Sequence, residues 1–172
     1  MPIMKLPLLP VLLILSCWQL ANAADNACPI TVAFTPHCER LLLSKIRDAH
    51  KEIQAAIYEF TKKDIADAFI ERADHGVKIT IKVDAHEAEY KYTEDILARL
   101  QKAKITIQRI TMPGEAKLHD KFLIIDGHCV LTGSYNWTKR ATDENWENLL
   151  AIESPAIAAE YAAEWERIKP TR

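Results

Sequence analysis

The sequence predicts an α/β fold: a mixed, mostly parallel β-sheet covered by helices on both faces. Short segments rich in β-branched residues alternate with segments whose apolar residues follow a helical period. The length of 172 residues suits one domain of ordinary size. Hydrophobic residues make up 49% of the chain and charged residues 27%, which is a globular composition and excludes a disordered chain.

Strands and helices are predicted in alternation through most of the chain. In order, the sequence predicts a strand (Ile30–Phe34), a helix (39–49), a strand (53–60), a helix (64–73), a strand (77–83), a helix (93–102) and a strand (105–110). Residues 77–83 alternate strictly between apolar and polar side chains, the period of a strand. Ser154 and Pro155 are typical of an N-cap and a first helical turn, and they predict a last helix to about Ile168.

The first 23 residues are interpreted as a secretory signal, which leaves residues 24–172 as the domain. Lys5 is the only charge before an apolar run over residues 6–18, and Ala21-Asn22-Ala23 matches a cleavage site. The run is shorter than the roughly 20 residues of a membrane-spanning helix. We therefore expect an exported protein, periplasmic or secreted, with no transmembrane segment in the mature chain. A lipoprotein attached through Cys17 and a buried N-terminal helix are the alternatives.

Export changes what the cysteines are expected to do. In an oxidising compartment Cys28 and Cys38 are close enough in sequence to form a disulfide across a short loop. Cys129 lies in an apolar run, and we expect it to be a buried free thiol. The alternative is three unpaired thiols.

A β-hairpin is predicted around Asp126-Gly127, a strong signal for a two-residue turn between apolar runs. If Ile125 opposes His128, His119 faces Ser134 across the hairpin, and Lys121 correspondingly faces Thr132. Directly opposed residues share one face of a sheet. The pairing therefore gathers polar groups from both strands on one surface.

Those groups suit a phosphodiester substrate. The imidazole of His119 can attack phosphorus or move protons near neutral pH. Lys121, Ser134 and Asn136 can donate hydrogen bonds to the non-bridging oxygens, whose negative charge grows during attack.

The spacing of these residues resembles the signature of the phospholipase D superfamily, His-x-Lys, four residues, Asp, six residues, Gly-Ser-x-Asn. The matching positions are His119, Lys121, Asp126, Gly133, Ser134 and Asn136. The order of strands and helices, the exported N-terminus and Glu147-Asn148 resemble the small single-motif bacterial endonucleases of that superfamily. The resemblance covers nearly the whole mature chain and implies a phospholipase D-like fold.

The resemblance also implies a role for each residue. His119 becomes the nucleophile that forms a phosphohistidine, and Lys121 and Asn136 become phosphate ligands with Ser134 in support. Glu147 resembles the family glutamate that orients the histidine and stabilises its imidazolium. Asp126 and Gly133 are interpreted as structural members of the motif.

Assembly follows from the number of motifs. The resemblance also implies a second motif histidine, which protonates the leaving oxygen and then helps water to attack the phosphohistidine. Histidine followed two residues later by lysine occurs once in this sequence, so one chain cannot supply both histidines. A twofold dimer would place two copies of His119 at one shared site. We therefore predict a homodimer.

The expected substrate is nucleic acid, hydrolysed without metal or cofactor. The histidines show no metal-ligand spacing. The formal net charge of the chain is −2, and residues 102–140, with 7 basic and 3 acidic side chains, are the only positive segment within residues 24–172. These basic residues could line a groove for a polyanion (Lys102, Lys104, Arg109, Lys117, Lys139 and Arg140). A phospholipase D acting on phosphatidyl head groups and a non-catalytic nucleic-acid-binding module are the alternatives.

Overall fold

A seven-stranded sheet organises the protein, whose computed structural model describes residues 28–169. The strands are β1 (Ile30–Phe34), β2 (Glu52–Ile57), β3 (Lys78–Asp84), β4 (Thr106–Ile110), β5 (Lys121–Ile125), β6 (Cys129–Gly133) and β7 (Asn148–Glu153). The helices are α1 (Cys38–Arg47), α2 (Lys63–Asp74), α3 (Lys91–Lys102), α4 (Lys139–Asp143) and α5 (Pro155–Arg167), with a short 3₁₀ turn at Glu87–Glu89.

The sheet is mixed, and its order is β1-β7-β6-β5-β2-β3-β4. Only β2–β3 and β3–β4 pair in parallel, whereas the other four pairings are antiparallel. The expectation of a mostly parallel sheet is therefore wrong. The alternation of strands and helices ends after β4, and β5 to β7 follow without a helix long enough for a parallel crossover. The sequence interpretation also missed β7, which joins β1 to β6.

Helices cover both faces of the sheet, as predicted. On one face α1, α2 and α3 pack on the alternate residues of β2 and β5 that include Ile53 and Leu123. On the other face α5 packs through Ala158 and Trp165 against the intervening residues, among them Phe122. The two cores exist because successive strand residues point to opposite faces.

One buried lysine fastens α5 to the sheet. The ammonium of Lys82 in β3 donates to the carbonyl oxygens of Trp165 at 2.5 Å and Ile168 at 2.7 Å, at the end of the helix. These carbonyls have no partner within the helix, and a cation also suits this end of its dipole. Burial lowers the pKa of Lys82.

The hairpin forms at the predicted turn, but its register differs by one residue. Asp126 and Gly127 both have positive φ, +52° and +70°, and the His128 amide donates to the Ile125 carbonyl at 3.0 Å. The ladder then pairs Ile125 with Cys129, so His128 is an extra residue after the turn. The carbonyl of His128 accepts instead from the Ser154 amide at 2.7 Å.

Because of this difference in register, the predicted pairs of opposed residues in the hairpin are wrong. Phe122, not Lys121, opposes Thr132. A shift of one residue turns every side chain of a strand to the other face relative to its partner. His119 and Ser134 lie beyond the ends of β5 and β6 and are not a ladder pair.

The predicted Cys28–Cys38 disulfide is wrong for this structure, in which all three described cysteines are free. Cys38 is buried and its thiol donates to the Ala33 carbonyl, near the end of β1. Cys28 precedes the start of that extended strand, about 16 Å from Ala33 at the usual rise per residue. A disulfide requires α-carbons within about 7 Å. Cys129 is a buried free thiol, as expected, and burial raises its pKa to about 12.

The predicted secretory signal and Cys17 lie outside the described residues. Within residues 28–169, no helix has the length and apolar character needed to cross a membrane.

Candidate active site

Four segments of the chain meet at one edge of the sheet. β2 and β6 end at this edge, while β5 and β7 begin there, because their pairings are antiparallel. The segments carry the motif residues and two acidic neighbours (Glu59 after β2, His119 and Lys121 at β5, Ser134 and Asn136 after β6, Glu147 before β7). Side chains that are far apart in sequence are thus adjacent at the strand ends.

His119 is exposed at this edge and lies between a lysine and a tyrosine. The Lys121 ammonium is 3.4 Å from His119 Nδ1 and donates to the His119 carbonyl at 2.6 Å. The Tyr58 ring packs against the imidazole with 4.8 Å between ring centroids and 50° between planes. A lysine ammonium only donates, so Nδ1 is the acceptor in its contact with Lys121.

The Lys121 ammonium is half-buried among carboxylates. Burial lowers the pKa of Lys121, and the charges of Asp120, Glu59 and Glu147 oppose that shift. The carboxylates therefore keep a partly desolvated cation at the site, ready to meet the charge of a phosphate.

Ser134 connects the motif to Glu147. Its hydroxyl donates to one Glu147 carboxylate oxygen, while the other accepts from the Asn145 amide at 3.0 Å. The same hydroxyl accepts from the Asn148 amide at 3.1 Å. Among the described residues the hydrogen bonds of the Glu147 carboxylate thus come from Ser134 and Asn145, and its orienting role towards His119 stays a prediction.

Gly133 is required by close packing rather than by backbone conformation. A Cβ at Gly133 would lie 2.2 Å from the Asn148 carbonyl oxygen, on the neighbouring strand β7. This approach lets the Ser134 amide donate to the same carbonyl oxygen at 3.2 Å. The glycine of the motif thus has a steric reason at this position of the chain.

We expect Gly133→Ala to destabilise the fold by about 1–3 kcal/mol, because backbone must move to admit the methyl group. Thermal melting measures this as a fall in Tm of several degrees. Gly114→Ala is the control: Gly114 has positive φ but open space around it, so its variant bears only conformational strain. If Gly133→Ala lowered Tm by no more than Gly114→Ala does, the packing argument would be contradicted.

Asn136 is held by the segment that follows β2. Its side-chain oxygen faces the Glu59 amide at 3.4 Å and its NH₂ group faces the Glu59 carboxylate at 3.5 Å, both long contacts. The adjacent Trp137 is anchored firmly: its carbonyl accepts from the Thr61 and Lys62 amides at 2.9 Å each. Asn136 therefore has a fixed backbone and a loosely held side chain.

Asp126 lies at the opposite end of β5, away from His119. Its carboxylate accepts three backbone hydrogen bonds of 2.8 Å, from the amides of His50, Lys51 and Glu52. Burial alone would raise the pKa of Asp126, but these bonds lower it below the ordinary value. The carboxylate fixes the start of β2 against the hairpin turn, and its position keeps it from the reacting face.

Two site residues escaped the sequence interpretation, Tyr58 and Glu59. They follow β2 at the edge where the motif lies, where Tyr58 packs against His119 and Glu59 faces Asn136, and the antiparallel β2–β5 pairing brings them there. The expected basic groove is also dispersed: Lys102 and Lys104 lie where β4 begins, at the opposite edge, and Arg109 pairs with Glu94. Of that set, Lys117 contacts the site, through the Tyr58 hydroxyl.

The sequence matches the family described as "Cardiolipin synthase, PLD-like domain" over residues 42–169. The chain belongs to the phospholipase D superfamily. It is therefore a phosphodiesterase, as the motif predicted. A phospholipase D of Rickettsia prowazekii (strain Madrid E) is 34% identical over 144 residues, covering 83% of this chain and 68% of the relative. A mitochondrial cardiolipin hydrolase of Xenopus tropicalis is 30% identical over 146 residues, covering 83% and 65%.

Solved structures place the fold in the same superfamily. The phospholipase D family member Nuc from Salmonella typhimurium superposes with a TM-score of 0.78 and 27% identity, over 83% of this chain and 94% of Nuc. NucT from Helicobacter pylori superposes with a TM-score of 0.73 at 24% identity, over 83% and 96%. The phospholipase D-like fold expected from the motif is confirmed.

Proposed function

We propose that the protein is an exported, non-specific endonuclease that hydrolyses nucleic-acid phosphodiesters through a phosphohistidine. The observation that carries the proposal is the open position of the His119–Lys121 pair at the sheet edge, where His119 is exposed. A polymer can pass over such a site without its ends being enclosed. The similarity to Nuc over 94% of that chain supports a compact enzyme of this kind.

The proposed reaction has two steps. A ring nitrogen of His119 attacks phosphorus, the N–P bond forms, and the leaving P–O bond breaks as its oxygen takes a proton. Water then attacks the phosphohistidine, loses a proton to a base and returns His119 free. Lys121 and Asn136 offer donors to the non-bridging oxygens in both steps.

The proton for the leaving oxygen would come from His119 of the partner subunit in a homodimer. The surface of β1 supports the proposal of a partner. β1 is an edge strand of the described sheet, and Ile30, Val32 and Phe34 point to one side of it with exposed fractions of 55%, 51% and 63%. Such an apolar stripe is typical of an interface, and it ends beside Thr35, which binds the Glu147 amide at 3.0 Å.

Mixing of subunits tests the shared site. Equal amounts of wild-type and His119→Ala chains, unfolded and refolded together, should give about a quarter wild-type dimers by random pairing. Activity on DNA should then be about a quarter of that of the same total amount of wild type. About half would mean that each chain works alone, and a fully active monomer in solution would contradict the dimer.

A phospholipase D is the second candidate function. Trp146, next to Glu147, is 95% exposed, and tryptophan favours the interface between water and lipid. The names of the relatives, phospholipase D and cardiolipin hydrolase, agree with this candidate.

Parallel assays on plasmid DNA, RNA, phosphatidylcholine vesicles and cardiolipin vesicles separate the two candidates. We expect cleavage of nucleic acid and little turnover of lipid. Trp146→Ala is a further test of the lipid candidate: if lipid is the substrate, this variant should have lower activity on vesicles. Lipid turnover without nucleic-acid cleavage would overturn the endonuclease proposal.

We expect full activity in the presence of EDTA, because the histidine supplies the nucleophile and Lys121 the positive charge. The assay compares initial rates on DNA before and after chelation and dialysis. Complete loss of activity that magnesium or zinc restores would refute this mechanism.

A further inference from the structure

Tyr58 is a buried side chain with contacts to three site groups, and neither the motif nor the proposed mechanism uses it. Its ring faces the His119 imidazole, and the Lys121 ammonium lies 5.4 Å from the ring centroid. Its hydroxyl accepts from the Lys117 ammonium at 2.7 Å and donates to the Glu87 carboxylate at 2.8 Å. Tyr58 thus contacts His119 and Lys117, and its ring lies within cation–π distance of Lys121.

The ring contact restricts the imidazole. His119 is exposed to solvent, and its ring packs against Tyr58. This contact limits the rotation of the imidazole. A nucleophile must be held close to the productive geometry, since small misplacements cost large factors in rate. The electron-rich ring face also attracts the Lys121 cation.

The hydroxyl fixes a second cation. Lys117 is exposed, and a free lysine chain of this length would sample many rotamers. Its bond to Tyr58 raises its pKa, with the charges of Glu87 and Asp84 acting in the same direction, so the ammonium stays protonated. An ammonium has three donors and Tyr58 takes one of them, which leaves donors for a ligand.

We infer that Tyr58 is a positioning residue with two ends: its ring orients His119, and its hydroxyl holds Lys117 as a binding group for the phosphate next to the scissile one. The inference rests on the proposed nucleic-acid substrate. The Lys117 and Lys121 ammoniums lie 5.1 and 5.4 Å from the same ring centroid, so both border one small area. A nucleic-acid strand presents a second phosphate one nucleotide away, whereas a small diester has none.

Two substrates separate the two ends of Tyr58: a single-stranded oligodeoxynucleotide and bis(4-nitrophenyl) phosphate. Tyr58→Phe removes the hydroxyl only, and Tyr58→Leu removes the ring as well. We expect Tyr58→Phe and Lys117→Ala each to raise KM for the oligonucleotide about fivefold, with the double variant close to either single one. Lys117→Ala should also reduce the slope of log KM against log salt by about 0.7.

Loss of the ring should act on the chemical step. Tyr58→Leu is expected to lower kcat on both substrates by about tenfold relative to Tyr58→Phe. Lys78→Ala is the control for charge, since the exposed Lys78 begins β3 at the opposite edge and should leave KM and kcat unchanged. Thermal melting of each variant accompanies the kinetics.

Each result decides the inference. An oligonucleotide KM for Tyr58→Phe equal to that of Lys78→Ala overturns the role of the hydroxyl. A kcat for Tyr58→Leu equal to that of Tyr58→Phe overturns the role of the ring. If the wild type cleaves bis(4-nitrophenyl) phosphate but no nucleic acid, the endonuclease proposal and the Lys117 site both fail, while kcat on the small diester still decides the ring. If Tyr58→Leu does not fold, Tyr58→Phe and Lys117→Ala still test the hydroxyl.

Discussion

His119→Ala is expected to lower turnover on DNA by about 10⁴-fold or more, because removal of a nucleophile eliminates the covalent pathway. The variant should fold normally, since His119 is exposed and its ring contacts are with Tyr58 and Lys121. Initial rates on plasmid DNA and a thermal melt measure the two properties. Rapid quenching of a reaction with a substrate that carries radioactive phosphorus should also show an acid-labile phosphoenzyme in the wild type and none in the variant.

His128→Ala is the matched control for this experiment. His128 also has an exposed ring, but it lies at the hairpin turn, at the other end of β5, with Nε2 3.6 Å from Glu153. Its variant should retain wild-type rates. Activity of His119→Ala within about tenfold of the wild type would remove His119 as the nucleophile.

The chemistry of the site could be predicted from the sequence because the motif encodes it locally. His119 and Lys121 are two residues apart at the start of one strand, and Ser134 and Asn136 are two apart after the next. The Asp126-Gly127 turn that joins these strands has a strong sequence signal, and it forms where it was predicted. Local spacing therefore determined which side chains of the hairpin could converge.

The register and the sheet order could not be predicted in the same way. His128 is an extra residue in the hairpin, and its carbonyl accepts from the amide of Ser154, which follows β7 and is distant from the turn in sequence. β7 itself has the apolar run Leu149 to Ile152, whose partners β1 and β6 are distant in the chain. Long-range strand pairing leaves little trace in a single sequence, so the sheet was expected to be mostly parallel, whereas only β2–β3 and β3–β4 pair in that way.

Tyr58 and Glu59 show the same limit at the site. Each follows β2 and lies more than 50 residues from the motif in sequence, and the antiparallel pairing of β2 with β5 brings them to it.

The disulfide prediction failed for a related reason. Only nine residues lie between Cys28 and Cys38, but an extended strand is within that interval and holds the two cysteines apart.

Lys121→Ala is expected to lower kcat on DNA by about 10²–10³-fold, as for the loss of one preorganised donor to a developing negative charge. The reason lies in the surroundings of the ammonium. Glu59 and Glu147 remain after the substitution, and without the cation their charges act against the phosphate. Lys78→Ala, which removes an exposed lysine at the opposite edge, should keep the wild-type rate. Wild-type turnover in Lys121→Ala would refute the assignment of Lys121 to the site.

The pH profile gives an independent test of the same group. Burial lowers the pKa of Lys121 from its ordinary value of 10.5. The protonated form is the active one, so activity should be full below the shifted pKa and fall as pH rises through it. Lys121→Arg places a guanidinium there that stays charged across this range, so its alkaline fall should disappear even if its rate is lower. An alkaline limb that is the same in Lys121→Arg as in the wild type would show that another group titrates there. In that case deprotonation of Lys121 would not cause the alkaline fall, because a guanidinium does not lose its proton in this pH range.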